Sequence, residues 1–207
     1  DYAFAAGSNG FASGNTSVSM GSNAQAQGNN AVAMGGNTLA SGSGSVAMGW
    51  NSDATNNYAV AMGTGNTASG TASAAFNSGS TASGVGSVAF VGGEASGNNA
   101  IAMGSFAMAS GDNSFAGGNG SSTLGENAFA YGQNATGGGS YSAAFNFYTT
   151  AQAYASTALG RYNVGGGAAA SWQTTDPLFE IGIGSSPSNT ANAVTVLKNG
   201  NTGIMNA

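Results

Sequence analysis

The fold is decided by a short motif that occurs three times in succession: Ala-Val-Ala-Met-Gly at 31–35, Ser-Val-Ala-Met-Gly at 45–49 and Ala-Val-Ala-Met-Gly at 59–63. The copies follow one another with a constant 14-residue spacing, and the polar segments between them usually contain Ala-Ser-Gly. A fixed period is typical of repeat architectures, and helical repeats need about 30 residues or more. The 14-residue period therefore predicts the coils of a parallel β-solenoid, an all-β fold.

The same motif can be followed along most of the chain. If its second residue marks each copy, ten of the eleven intervals between markers keep the 14-residue spacing, and only the interval from Val88 to Ile101 is shorter, by a single residue. The markers are Phe4, Val18, Val32, Val46, Val60, Ala74, Val88, Ile101, Phe115, Phe129, Ala143 and Thr157. The abundance of Gly and the 4% of charged residues would also suit a disordered chain. Disorder does not preserve a register over eleven intervals, so the composition indicates the turns of a regular fold.

Each coil is predicted to contain two short strands joined by two turns. Within the motif, Ala or Ser residues alternate with large apolar ones, and an alternation of period two is typical of a strand with two unlike faces. A second strand is indicated by Ala residues eight positions after the marker, as at Ala26, Ala40 and Ala54. The joining segments are rich in Gly, Asn and Ser, the residues that favour turns. The shorter interval near Glu94 predicts one shortened turn.

The two faces of the motif strand have different expected roles. A 14-residue coil encloses little space, so we expect the small residues to face inward and the large residues to face outward. The outward residues would form an apolar stripe larger than soluble monomers expose, and a partner would bury it. The alternative places the large residues inside each coil and the small faces between chains. The predicted apolar stripe consists of Val18, Met20, Val32, Met34, Val46, Met48, Val60, Met62, Phe76, Val88, Phe90, Ile101, Met103, Phe115, Phe129, Tyr131 and Phe145.

The repeat ends before the C-terminus. The segment 163–176 contains Gly165 to Gly167 and a run of Ala, which indicates a neck. Beyond it, 178–184 and 193–198 alternate as strands, and Asn199-Gly200 is a strong hairpin turn. We therefore predict three parts: β-roll repeats at 1–162, a Gly/Ala-rich neck at 163–176 and a small β-hairpin module at 177–207.

The motif, its spacing and the intervening Ala-Ser-Gly resemble the head repeats of trimeric autotransporter adhesins, the YadA-like head, over about residues 1–162. In that family the motif usually has Ile where this chain has Met. The resemblance implies a left-handed parallel β-roll that forms a homotrimer and is displayed on a cell surface for attachment.

The C-terminal residues carry a second resemblance. The stretches 176–184 and 192–204 are similar to a module of bacterial and phage tail-fibre-like proteins, which often precedes a shaft and a self-cleaving chaperone. Neither that chaperone nor the stalk and anchor of an autotransporter is recognised in the sequence. The resemblance implies a trimeric fibre but leaves its route to the surface open.

The composition argues against several classes of function. The chain has neither His nor Cys, and its seven acidic residues are scattered, so we predict no catalytic residues, no cofactor and no metal site. Asp53 and Asp112 are the weak candidates for a stray cation. Arg161 and Lys198 are the only basic residues, which argues against nucleic acid as a partner. No stretch is apolar enough to predict direct membrane insertion. The start at Asp1 lacks a signal peptide, so we expect that it was removed or that the chain is a segment of a longer protein.

Several aromatic residues are predicted to lie in turns or irregular stretches, where they could stack on sugar rings or contact a protein. The candidates are Trp50, Tyr58, Phe147, Tyr148 and Trp172, with Phe106 and Tyr162 as further members of the set. The alternative is that these side chains fill gaps between coils and chains.

The sequence leaves three functions open. The first is an extracellular trimeric fibre or adhesin segment that attaches to a glycan or protein on a host, prey or matrix surface. The second is a structural spacer or shaft of a surface or tail-like fibre with no ligand of its own. The third is an ice-binding solenoid, which usually has ranks of Thr where this chain has Ala and Ser. An enzyme is not expected.

Overall fold

The computed structural model describes residues 2–205, all of whose regular elements are β-strands. The chain is divided into two compact units, with the boundary between Ala100 and Ile101. In both units the chain winds as a parallel β-solenoid with a 14-residue coil, so the predicted fold class is confirmed.

The first unit consists of coils that each contribute one strand to each of two sheets. The first sheet holds the motif strands: Phe4–Ala6 (β1), Val18–Met20 (β3), Val32–Gly36 (β5), Val46–Trp50 (β7), Val60–Thr64 (β9), Ala74–Ser78 (β11) and Val88–Phe90 (β13). The second sheet holds Phe11–Ala12 (β2), Gln25–Ala26 (β4), Leu39–Ala40 (β6), Asp53–Ala54 (β8), Thr67–Ala68 (β10), Thr81–Ala82 (β12) and Glu94–Ala95 (β14).

The second unit continues the same plan and ends in a different element. Its motif strands are Ile101–Met103 (β15), Phe115–Gly117 (β17), Phe129–Tyr131 (β19), Ala143–Phe145 (β21) and Thr157–Arg161 (β23). Its second-sheet strands are Met108–Ala109 (β16), Ser122–Thr123 (β18), Thr136–Gly137 (β20) and Thr150–Ala151 (β22). Three longer strands follow: Pro177–Ile183 (β24), Asn192–Leu197 (β25) and Thr202–Ile204 (β26).

Equivalent residues of successive coils pair in register. In β5 and β7, for example, Val32 pairs with Val46 and Met34 with Met48. The shorter interval keeps this register in the second sheet, where Thr81 pairs with Glu94. The missing residue is taken from the turn at 91–93, so the predicted shortened turn is confirmed.

The small residues of the motif form the interior of each coil. Ala33, Ala47 and Ala61, which follow the marker, are 0% exposed, and so is Ser45, which precedes one. Second-sheet Ala residues such as Ala40 are equally buried. The inward orientation of the small face is thus confirmed, and the large residues point out of the coil. The interior is too narrow for anything larger than about a Thr or Asn side chain, which are the largest side chains found fully buried.

The coil also has a period of half its length that the sequence analysis did not anticipate. Each half-coil has a corner residue close to the left-handed helical conformation, such as Asn23, Asn30 and Asn37. Asn tolerates this left-handed conformation better than most residues, and Gly adopts it freely. The corners form two lines. Line 1 consists of the corners that follow a motif strand, such as Asn23 and Asn37, and line 2 consists of the corners that precede one, such as Asn30.

The Gly that ends the motif is required by close backbone contact. Gly35 has φ +122, and a Cβ at this position would overlap the carbonyl oxygen of Gly49 in the next coil. Successive coils therefore touch through bare backbone at this turn.

The C-terminal strands extend the first sheet of the second unit. β24 pairs in parallel with β23, with Thr157 opposite Phe179. β25 is antiparallel to β24, and β26 is antiparallel to β25. The Leu197 N–H donates to the Asn201 carbonyl at 2.8 Å, which closes the turn at Asn199-Gly200. Both predicted strands and the hairpin turn are confirmed, and residues 163–176 contain no strand.

Candidate binding surfaces

The apolar stripe lies on the outer face of the first sheet in both units. Its Val residues are half-buried by their neighbours, as are Met34 and Met48, whereas Met62 is 37% and Met103 45% exposed. Aromatic members stack in register: the ring centroids are 5.3 Å apart for Phe76 and Phe90. One chain therefore presents a row of large apolar side chains along each unit.

The outer face of the second sheet has a different character. In the first unit its outward positions are five polar residues and two apolar ones: Gln25, Asp53, Thr67, Thr81 and Glu94, with Phe11 and Leu39. Partial burial raises the pKa of the Asp53 carboxyl above its ordinary value, because desolvation disfavours its charged form. Large apolar residues are thus concentrated on one outer face of the coil, while polar residues predominate on the other.

Trp50 does not lie in a turn, contrary to the sequence prediction. It is the last residue of β7, because this strand continues beyond the motif Gly. Its ring lies against its register partner Gly36, where a Cβ would overlap the ring, and 57% of the residue is exposed. The Trp50 ring therefore fills the space that a side chain at position 36 would occupy.

Tyr58 lies in a turn as predicted. It is a corner residue of line 2 with φ 59, and it is 69% exposed. Its neighbour on the line is Gly44, whose lack of a side chain leaves space for the Tyr58 ring. A bulky residue with positive φ is a genuine outlier and points to a role that outweighs the strain.

Three aromatic residues of the candidate set come together in the second unit. Tyr148 and Tyr162 are successive corners of line 1, and their rings stack with centroids 4.9 Å apart and an interplanar angle of 24°. The Phe147 ring makes T-shaped contacts with both, with centroids 4.7 Å from Tyr148 and 5.4 Å from Tyr162. Both tyrosines have positive φ, at 52° and 43°.

This aromatic cluster borders a groove of about 440 Å³. The groove is lined by Gly120, Asn134, Thr136, Tyr148, Thr150, Tyr162, Asn163, Val164, Pro187 and Thr190. Four of these residues, Gly120, Asn134, Tyr148 and Tyr162, are consecutive corners of line 1. Pro187 and Thr190 come from the loop between β24 and β25. The groove has no charged side chain in its lining.

The floor of the groove is fixed by a buried hydrogen-bond network. Asn163 Nδ2 donates to the Thr150 carbonyl at 2.8 Å, and Asn163 Oδ1 accepts from the Thr150 N–H at 2.7 Å. Asn163 Nδ2 also donates to Oε2 of Glu180 at 2.7 Å. Glu180 is 3% exposed, and its Oε1 accepts from Asn192 Nδ2 at 2.6 Å and from the Gly165 N–H at 3.2 Å. The carboxylate is fully engaged as an acceptor, which fits a structural role.

Trp172 lies apart from this groove. Its ring is 4.9 Å from Nζ of Lys198, which also lies 5.9 Å from the Tyr154 ring. The Lys198 side chain is 0% exposed, and its Nζ is 3.9 Å from Oδ2 of Asp176. Trp172 thus covers a buried charge that connects the 163–176 segment to the C-terminal hairpin.

The aromatic members of the groove were predicted from the sequence, whereas its polar members were not. Thr136 and Thr150 are register partners, as Tyr148 follows Asn134 on line 1. The 14-residue spacing could have placed them side by side. Pro187 and Thr190 carry no such signal, because the pairing of β24 brings their loop into place.

Within residues 2–205, no group of three or more acidic side chains is arranged to hold a metal ion. In the same part of the chain, no helix has the length and hydrophobicity that a bilayer span requires.

The repeats place the chain in a class of surface adhesins. The family "YadA head domain repeat (2 copies)" matches residues 12–38, 26–52, 40–66, 54–76, 95–121 and 109–135, which together make up about half of the chain. The chain belongs to this family, whose head domains occur in surface-exposed adhesins of the trimeric autotransporter type. No curated protein matches the chain significantly. The matched residues end at 135, so the resemblance of 176–204 to tail-fibre-like proteins stays a prediction.

Proposed function

We propose that this chain is an extracellular segment of a homotrimeric fibre that attaches a cell to a host, prey or matrix surface. The observation that supports it is the concentration of large apolar residues on one outer face of the solenoid. The YadA head repeats supply the surface-exposed, adhesive context.

The asymmetry of the two sheets favours association through the first sheet. Val46, Met48, Val60 and Met62 form adjacent apolar rungs, while the outward second-sheet residues beside them are largely polar. Complete burial of a Val or Met side chain contributes about 1.5–3 kcal/mol. Burial of these partly exposed side chains against the same row of another chain would therefore favour self-association strongly. The number of chains, three, rests on the family.

We further propose that residues 1–162 act as the head, 163–176 as a neck and 177–207 as a cap on the last coil. Repeat proteins need an end that does not expose a further binding edge. The antiparallel hairpin beyond β24 differs from the coils before it and supplies such an end.

The attachment itself is proposed to be non-catalytic. The described acidic side chains are not clustered, and both oxygens of the most buried carboxylate, Glu180, accept hydrogen bonds from neighbouring groups. Weak contacts repeated on three chains gain strength by avidity, without any reaction.

Self-association can be tested with Met62→Glu, which places a carboxylate in the middle of the apolar stripe. Thr55→Glu is the matched control, since Thr55 is exposed and follows a second-sheet strand. Light scattering should give the mass of three chains for the parent and the control, and a lower mass for Met62→Glu. A parent of single-chain mass would contradict the proposal.

Attachment can be tested separately from assembly. Beads coated with the parent chain should be retained on host cells, bacterial prey cells or a matrix-coated surface, whereas beads coated with Met62→Glu should be retained less. A parent that assembles but binds none of these surfaces would instead fit a structural spacer.

A further inference from the structure

We infer that the groove beside Tyr148 and Tyr162 is a binding site for a short, neutral saccharide. The inference rests on the proposed function, because such a groove would be one contact through which the segment attaches to a surface.

The groove is bordered by an aromatic platform. Tyr148 lies on line 1 between Asn134 and Tyr162, and one face of its ring stacks on Tyr162. On the other side of Tyr148 along the line are the smaller residues Asn134 and Gly120, which line the groove together with it. An aromatic ring offers a flat apolar area with a polar hydroxyl at its edge. The apolar face of a sugar ring is complementary to such a surface.

The second step is the strain at these two positions. Corners of line 1 are mostly Asn or Gly in the first unit, as at Asn23 and Asn37, whereas in the second unit aromatic corners occur beside Gly120 and Asn134. Tyr148 and Tyr162 adopt the same positive φ without the tolerance of Asn. Stacking between the two rings and Phe147 holds them there. Other corners, such as Ala72 and Ala155, have the same φ without a ring, so the clustering of three rings beside the groove, rather than the strain alone, distinguishes this part of line 1.

The third step is the chemistry of the remaining lining. The side chains of Asn134, Thr136, Thr150 and Thr190 make no hydrogen bond with any described residue, so an amide and three hydroxyls are available to a ligand. They provide both donors and acceptors, as a sugar with many hydroxyl groups requires. No lining residue is charged, which favours a neutral saccharide over an anionic one. A volume of about 440 Å³ is within the range of small-ligand sites.

The fourth step is access in the proposed trimer. Thr136 and Thr150 point outward from the second sheet, whereas the apolar stripe is on the first. Association through the stripe therefore leaves the groove open to solvent. An aromatic cleft also suits a proline-rich peptide, but the free hydroxyls and the amide favour a polyol.

The test uses the full trimeric chain on an array of neutral hexose and N-acetylhexosamine oligomers. Sialylated and sulfated oligomers and proline-rich peptides serve as comparators. Tyr148→Asn and Tyr162→Asn remove one ring each and keep a residue that suits the corner. The matched control is Tyr141→Asn, since Tyr141 is a corner of line 2 with φ 60, is 53% exposed and lies outside the groove.

The parent should bind at least one class of neutral oligomer. Tyr148→Asn and Tyr162→Asn should each weaken this binding about ten-fold or more, and Tyr141→Asn should bind like the parent. Thermal unfolding midpoints that are unchanged or higher would show that the variants fold. Equal binding by Tyr148→Asn, binding of anionic oligomers alone or binding of peptides alone would each overturn the site. Loss of oligomer binding with retained cell attachment would confirm the site but assign attachment elsewhere. Attachment without any oligomer binding by the parent would overturn the site and leave the proposed function intact.

Discussion

Replacing Glu180 by Gln tests whether the junction between the coils and the C-terminal strands depends on a carboxylate. Both oxygens of Glu180 accept from amide groups, those of Asn163 and Asn192. Neither Asn can turn its amide around. Asn163 is held by two bonds to the backbone of Thr150, and Asn192 Oδ1 accepts from the Val164 N–H at 2.9 Å. A Gln side chain would therefore direct its own NH₂ at one of two fixed NH₂ groups.

The expected cost follows from the bonds that Gln cannot make. At least one hydrogen bond to a charged acceptor is lost, worth about 1.5–3 kcal/mol, and one buried donor is left without a partner, which costs ~1–3 kcal/mol. Removal of a buried charge returns part of this, because its desolvation is no longer needed. We expect a net loss of about 2–3 kcal/mol, which corresponds to a melting temperature lower by about 4–12 °C for a chain of this size.

The measurement is thermal unfolding followed by circular dichroism, with Glu94→Gln as the control. Glu94 is exposed on β14, so its replacement should leave the midpoint unchanged. Hydrogen exchange should also be faster at the amides of Thr150 and Gly165, which the network protects. An unchanged midpoint and unchanged exchange for Glu180→Gln would refute the acceptor-only interpretation.

Three further predictions concern the interior, the buried lysine and the titrating carboxylate. Ala61→Leu should destabilise the fold by about 1–3 kcal/mol, because overpacking a filled interior is costly, whereas Met62→Leu in the adjacent outward position should change the urea midpoint little. Asp176→Asn should cost about 3–5 kcal/mol by the same measurement, since it leaves the buried ammonium of Lys198 without its counter-ion; a change below ~1 kcal/mol would contradict that view. Folding raises the pKa of Asp53, so its charged form weakens the fold as pH rises through this pKa. Asp53→Asn should therefore be slightly more stable than the parent at pH 7, by no more than ~0.5 kcal/mol. This difference in stability should vanish below the unfolded pKa of 3.8, and a difference that grows in acid would contradict the prediction.

The parts of the fold that follow from local repetition were predictable from the sequence. The motif strands, the inward Ala residues and the hairpin at Asn199-Gly200 depend only on neighbours one coil away or on a tight turn. The orientation of the two faces followed from the width of a 14-residue coil, and the burial of Ala33 and Ala47 confirms it.

The half-coil period of the corners was not recognised, because different residues satisfy the same backbone need. Corners are Asn30 in one coil, Gly44 in the next and Tyr58 in the one after, so the sequences do not look alike. What they share is a positive φ, which Gly and Asn adopt for different reasons.

The groove was predictable only in part. The spacing of Tyr148 and Tyr162 gives their stacking, because residues one coil apart lie side by side. The loop that contributes Pro187 and Thr190 reaches the groove through the pairing of β24 with β23. The segment before this pairing contains no repeat, so no periodicity in the sequence predicts it.

The bare backbone contact between Gly35 and Gly49 has a consequence for how the length of such a protein can change. Each coil presents to the next coil the same backbone carbonyl, the same Gly without a side chain and the same two strand edges. A deletion or duplication of one whole coil in the regular part of the first unit therefore joins surfaces that already match, whereas an insertion of a single residue must be absorbed within a turn, as the loss of one is at 91–93. Length can vary in whole coils through recombination of the gene, and the ends that carry specific contacts remain unaltered.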